Sequence, residues 1–205
     1  MRPDDAAAPH TLDVVPFEVA GVTLAGLLHL PLGNGWYPAV VLIGEAGDVS
    51  AQLPDFLVGL GYAVLTFDEQ GAGLAPAALA ALAATDSLLM RPDIRADLIG
   101  LLGLGGGAWV AALAAARVPE TALAVLLPGE TPLPGDLDRL ADVHCPVLAF
   151  TPNPNAAAAL ARQLAHNPEV DIQGVPEAPA GMLGALGAWR RQGAKSEFLR
   201  PGPAP

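Results

Sequence analysis

The stretch LIGLLGLGGGAWVAALAAA, residues 98–116, decides the fold. It holds an apolar run, then Gly103-Leu104-Gly105-Gly106-Gly107, then an alanine-rich helical pattern. Its 19 residues carry no charge, which meets the length rule for a membrane span. Five of them are glycine and three of those, Gly105 to Gly107, are consecutive. Glycine at that density breaks a helix. The stretch therefore reads as a strand near 98–102, a tight turn, and a helix near 106–117, with no membrane span.

The flanking sequence repeats the theme. YPAVVLIGEAG, YAVLTFDEQGAG, TALAVLLPGE and CPVLAFTPNP are short apolar runs closed by glycine or proline, as expected of strands buried on both faces. Helical patterns alternate with them: one starting near Ser50 and stopping at Gly61, LAPAALAALAATDSLLM, NAAAALARQLAH and GMLGALGAWRRQ. EVDIQGVPEA supplies a last strand, and TPLPGDLDRLADVH has room for one short helix. At the front, VVPFEVAGVTLAGLLHLP carries two β-type runs around Ala20-Gly21, the pattern of a hairpin. Alternating strands and helices predict an α/β class: a mostly parallel sheet covered on both faces, with an antiparallel hairpin added. The expected organisation is one domain over residues 1–205, with a core at 14–189 and loose tails at 1–12 and 193–205.

Composition narrows the function. A net charge of −11 argues against nucleic acid and anionic membrane surfaces as partners. Cys145 is the only cysteine, so no intramolecular disulfide can form. The start, MRPDDAAAPH, has no apolar signal core, so a soluble cytoplasmic protein is expected. His10 falls in the expected terminal arm, His29 on the second strand as a half-exposed residue, His144 beside Cys145, and His166 at a helix end. No two histidines show metal-ligand spacing, and neither a metal nor a cofactor is expected.

Ligands on such sheets bind outside the carboxyl ends of the strands. The order of pieces at those ends resembles the α/β-hydrolase superfamily, particularly its small esterase and dienelactone-hydrolase-like members, from about Val14 to Trp189. PAVVLIGEAG stands in the oxyanion-loop position, YAVLTFDEQGAG at an Asp-x-Arg-Gly-x-Gly turn with Gln70 for the arginine, and IGLLGLGGGAWVAALAAA at the nucleophile elbow. The resemblance implies a Gly-x-Ser-x-Gly turn with a serine activated by a histidine that an acid orients. Here the serine position is Gly105. The acid loop, Thr151-Pro152-Asn153-Pro154, has no carboxylate, with Pro154 at the acid position. The histidine position falls at or beside Ala180. With all three triad positions lost, a non-catalytic member of the fold is expected. What the resemblance leaves is the oxyanion hardware: the amide of Gly106 beside Gly105, and the Glu45-Ala46 loop. These could take a small anionic molecule. An interaction scaffold, including a homo-oligomer, is the competing class.

Three other chemistries have candidate residues in the chain. Cys145 precedes Pro146 at the start of a strand and so lies at the end away from the site, where a buried structural thiol is expected. Glu45, Asp48, Asp68 and Glu69 lie at the correct end and could pair as acid and base, although turn and solvent contacts explain them. Residues Gly103 to Ala108 also satisfy Gly-x-Gly-x-x-Ala, a nucleotide-binding turn. That reading lacks the ribose-binding acid about twenty residues on, and the turn lies mid-chain.

Overall fold

The computed structural model describes residues 10–44, 48–68, 73–118, 121, 123–127, 137–151, 153–167 and 169–174. Strands β1 (His10–Val19) and β2 (Val22–Pro31) pair antiparallel from His10↔Pro31 to Val19↔Val22. Ala20 and Gly21 join them with φ of 51° and 82°, the two left-handed residues that match a two-residue turn to the strands' twist. β1 reaches back to His10, so residues 10–12 belong to the sheet and not to the expected loose tail. Pairing with Pro31 and a side-chain contact to β2 hold them there.

The remaining strands are β3 (Tyr37–Ile43), β4 (Ala63–Phe67), β5 (Ile94–Leu104), β6 (Leu123–Leu127), β7 (Val147–Phe150) and β8 (Val170–Gln173). They form one eight-stranded sheet in the order β1-β2-β4-β3-β5-β6-β7-β8. β3 to β8 run parallel, and β2 joins β4 antiparallel. The fold is therefore the α/β class expected. β5 is longer than its apolar run suggests, because it begins at Ile94, opposite Tyr37. Arg95 and Asp97 disguise this extension; they pair with each other at 2.8 Å on the surface.

Helices α2 (Leu74–Leu89) and α3 (Gly107–Ala115) pack on one face with Ala39, Val41, Ile43, Leu65 and Leu101. Their buried residues are mostly alanine, so the helices approach each other and the sheet closely. The alternate residues Val40, Leu42 and Val64 point to the other face, where α1 (Asp48–Gly59) brings Leu53, Leu57 and Val58 to burial. Every residue of α3 is buried, which is why its sequence shows no polar stripe. The uncharged run at 98–116 is thus a central strand followed by an enclosed helix. Among the described residues no helix is long and apolar enough to cross a membrane.

The connection from β6 to β7 spans residues 128–146, too short to hold a cap domain. A short 3₁₀ segment, Leu137–Asp142, lies within it. Beyond β7, α4 (Pro154–Gln163) leads into β8. The expected closing helix, with Ala180, lies outside the described residues, as do Glu45, Ala46 and Glu69.

Candidate functional site

The elbow is built by main-chain contact. Gly105 follows β5 with φ of +55° and turns the chain into α3. Ala108 N–H donates to the Gly105 carbonyl at 3.3 Å, and Trp109 N–H donates to the Gly106 carbonyl at 3.1 Å. A Cβ on Gly103 would strike the Gly107 carbonyl and Ala108 Cα, and one on Gly107 would strike the Ile43 carbonyl. Gly44, at φ +82°, abuts the Leu104 carbonyl in the same way. These glycines let the end of β3 and the start of α3 touch backbone to backbone. Gly106 differs, since a Cβ there meets nothing within 4 Å among the described residues. That residue stands next to the first amides of α3, which lack partners within their own helix.

The C-terminal ends of the neighbouring strands share this edge. Leu104 pairs with Leu127, Leu126 with Ala149, and Phe150 with Gln173. An acid after β7 would stand two strands from Gly105, roughly 10 Å away by strand spacing.

The same architecture occurs in solved structures. A dienelactone hydrolase from Anabaena variabilis matches with a TM-score of 0.72 at 20% identity, over 89% of this chain and 98% of that one. An esterase of Pyrococcus furiosus matches at 0.73 and 16% identity, over 94% and 93%. A dienelactone hydrolase-like promiscuous phosphotriesterase from metagenomic libraries matches at 0.69 and 19% identity, over 82% of each chain. The fold is the α/β-hydrolase fold. No family model and no curated protein matches the chain in sequence.

Set on the α/β-hydrolase fold, the expected site residues that are described can be located. Gly105 stands at the strand-to-helix elbow between β5 and α3. Pro154 is the exposed first residue of α4. Asn153, just before it, accepts from Asn155 N–H through Oδ1 at 2.9 Å, and its own N–H donates to Thr151 Oγ1 at 3.2 Å. That side-chain oxygen therefore caps a helix, the usual task of asparagine there. Asp68 is exposed at the end of β4, and Asp48 opens α1.

Histidines are distributed unevenly. The chain has four, and all are among the described residues. His10 opens β1 and His29 pairs opposite Val64 near the start of β4. His144 precedes β7, and His166 follows α4 on the way into β8. All four stand at the amino end of the parallel strands, away from the elbow.

Cys145 shares that end and is 7% exposed. Burial pushes its thiol up to about 11, so it stays protonated and unreactive near neutral pH. Its carbonyl accepts from Asn167 Nδ2 at 2.7 Å, and the Val143 carbonyl accepts from the same nitrogen at 3.1 Å. Asn167 Oδ1 accepts from Glu169 N–H at 2.9 Å. One buried amide thus ties the entry of β7 to the entry of β8. Sequence reading missed it, because Asn-Pro after a helix looks like an ordinary turn.

A second omission lies at the other edge of the sheet, on β1 and β2. His10 Nε2 and His29 Nδ1 are 3.1 Å apart, and His10 Nδ1 is 3.6 Å from Asp55 Oδ1 on α1. His10 is therefore part of a packed cluster and not of a solvated arm. His29 lies below the usual histidine range, first through burial and then through the neighbouring His10, with Asp55 opposing. The two histidines are 19 residues apart, and only the hairpin register makes them neighbours.

Proposed function

We propose that this chain is a non-catalytic member of the α/β-hydrolase fold that binds a small carboxylate or phosphate at its elbow. The observation that carries the reading is the separation of Gly105 from every imidazole in the chain. Serine-type hydrolysis needs a nucleophile with a base in hydrogen-bond reach. Gly105 offers no nucleophile, and all four histidines stand at the opposite end of the strands. Cys145 is no substitute, since it is buried at that same far end.

The elbow keeps what an anion uses. Gly106 stands beside the N-terminal amides of α3, where the helix dipole favours negative charge. By the resemblance the other amides come from the Glu45-Ala46 loop, which lies outside the described residues. An uncharged Gly105 widens the space a serine would occupy. The similar solved structures include a dienelactone hydrolase, an esterase and a promiscuous phosphotriesterase; carboxylates and phosphate esters are the anions such reactions release. No cofactor enters this reading, and the cytoplasm is its proposed location.

The exposed apolar residues Leu12, Val14 and Leu27 on the edge hairpin favour a second reading, an interaction scaffold that self-associates. Purified protein should not hydrolyse short p-nitrophenyl esters above background, nor be labelled by a fluorophosphonate. Phosphate or acetate should shift the amide resonances of Gly106 and Gly107 saturably. Stoichiometric labelling of a serine would overturn the non-catalytic reading. Absent amide shifts would overturn anion binding and leave the scaffold, which sedimentation would test.

A further inference from the structure

We propose that His10, His29 and Asp55 form a binding site for a zinc-class divalent cation, which pins the edge hairpin to α1. Their ligand atoms all lie within 4.8 Å of one another. The site is at the opposite end of the sheet from the elbow and is independent of the proposed anion pocket.

The sheet register builds it. His10 lies opposite Pro31 and Leu12 opposite His29, so the two imidazoles are diagonal neighbours on one face of the hairpin. That face is the one α1 covers, because His29 pairs with Val64 and shares its side of the sheet. The ring centroids are 5.0 Å apart with a 39° tilt. This inclination aims one nitrogen of each ring at the other, 3.1 Å apart. At Zn–N distances of 2.0–2.1 Å, two nitrogens of a tetrahedral site stand about 3.3 Å apart. The observed pair is within a few tenths of that value, so the cation would take the place of the proton the rings share.

Asp55 supplies the third ligand. It projects from α1 with its side chain 39% exposed, so its carboxylate can turn toward the imidazoles, whose ligand atoms lie within 4.8 Å of it. Two imidazoles and one carboxylate suit zinc and its first-row neighbours better than magnesium or calcium, which prefer all-oxygen shells. His10 and His29 are only partly buried, so water can complete the shell and the cation has a path in. The three ligands come from β1, β2 and α1, so a bound cation ties the hairpin to the helix and stabilises the folded state.

The test uses the untagged full chain at pH 7.5, in high salt with excess magnesium to mask the general acidity of the surface. Zinc alone is titrated by calorimetry, and the histidine ring nitrogens are followed by long-range ¹H–¹⁵N NMR. One equivalent of zinc should bind and raise Tm. The rings of His10 and His29 should shift, while His144 and His166 serve as internal controls and stay put. His29→Gln should weaken binding on the order of 100-fold, and Asp55→Asn by roughly 10-fold. Cobalt in place of zinc should give the intense visible bands of a four-coordinate centre. Absence of saturable binding, equal shifts at all four histidines, or unchanged affinity in His29→Gln would each overturn the proposal. The NMR readout on the unmodified chain decides the matter even if a variant folds poorly.

Discussion

The two ends of the sheet are built from different materials. The carboxyl end is made of backbone: Gly44, Gly103 and Gly107 bring β3, β5 and α3 together without side chains. The amino end is made of polar side chains, namely the Asn167 amide, the His10–His29–Asp55 cluster and an ion network at Arg91. Arg91 donates to both Asp93 oxygens and to Asp13 at 2.8–2.9 Å, joining the start of β5 to β1. Among the described residues, most of the side-chain clusters stand at the end where this fold does not conventionally bind ligands. The contrast predicts that the carboxyl end tolerates no added atoms at its contacts, whereas the amino end is sensitive to lost hydrogen bonds.

The largest effect should come from neighbouring glycines. In Gly107→Ala the new Cβ meets the Ile43 carbonyl, which is main chain in the central strand and cannot move aside. Overpacking against such a wall costs about 3 kcal/mol or more, outweighing the roughly 1 kcal/mol that alanine gains over glycine in a helix. Gly106→Ala, at φ −60°, meets none of the described residues, so it should stabilise by about 0.5 kcal/mol. Urea unfolding of both variants checks this. Equal effects would mean that the close approach of β3 and α3 is not what fixes the elbow.

At the other end, Asn167→Ala removes three hydrogen bonds and leaves two carbonyls without their donor. A loss of about 2–3 kcal/mol is expected. Asn167→Asp should do no better, since a carboxylate accepts from Glu169 N–H but cannot donate to the Val143 and Cys145 carbonyls. If the aspartate variant matched wild type, the amide would not be the tie described above.

The sequence announced the two ends unequally. The apolar runs ending in glycine at 44 and 103 made the strands, their order and the elbow legible, because a doubly buried strand can hardly be anything else. The amino end was opaque. Asn167 and His10 look like turn and tail residues in isolation, and the histidine cluster exists only after a hairpin register and a helix packing are both set. β5 was read short for a related reason, since Arg95 and Asp97 satisfy each other outside the core. The residues matched to the acid and the histidine were legible only by resemblance. Pro154 sits where α4 begins, while Ala180, Glu45 and Ala46 lie outside the described residues.

Restoring the missing hydroxyl tests whether the bareness of the elbow is structural. Gly105→Ser places a side chain at φ +55°, a left-handed conformation that costs about 1–2 kcal/mol outside glycine. The variant should fold with that loss and remain inactive, because no histidine stands at its end of the sheet to take the proton. Esterase activity in the single variant would mean that a base is present there after all.

The smallest effect should have the opposite sign and lies at the amino end. Thr121 is 6% exposed and sits just before β6. Its N–H donates to the Val118 carbonyl at 3.0 Å, but its hydroxyl has no hydrogen-bond partner among the described residues. A buried hydroxyl without a partner costs free energy, and valine replaces it with a methyl of nearly the same volume. Thr121→Val should therefore stabilise by up to about 1 kcal/mol, read as a shift in the urea midpoint at constant m. Thr121→Ser provides the counterpart: it keeps the hydroxyl and deletes the methyl, so it should lose about 1 kcal/mol of buried apolar contact. If valine instead destabilised and serine were neutral, the hydroxyl would be engaged in the folded protein. The amino end would then be satisfied at every buried polar atom, and the contrast between the two ends would be complete.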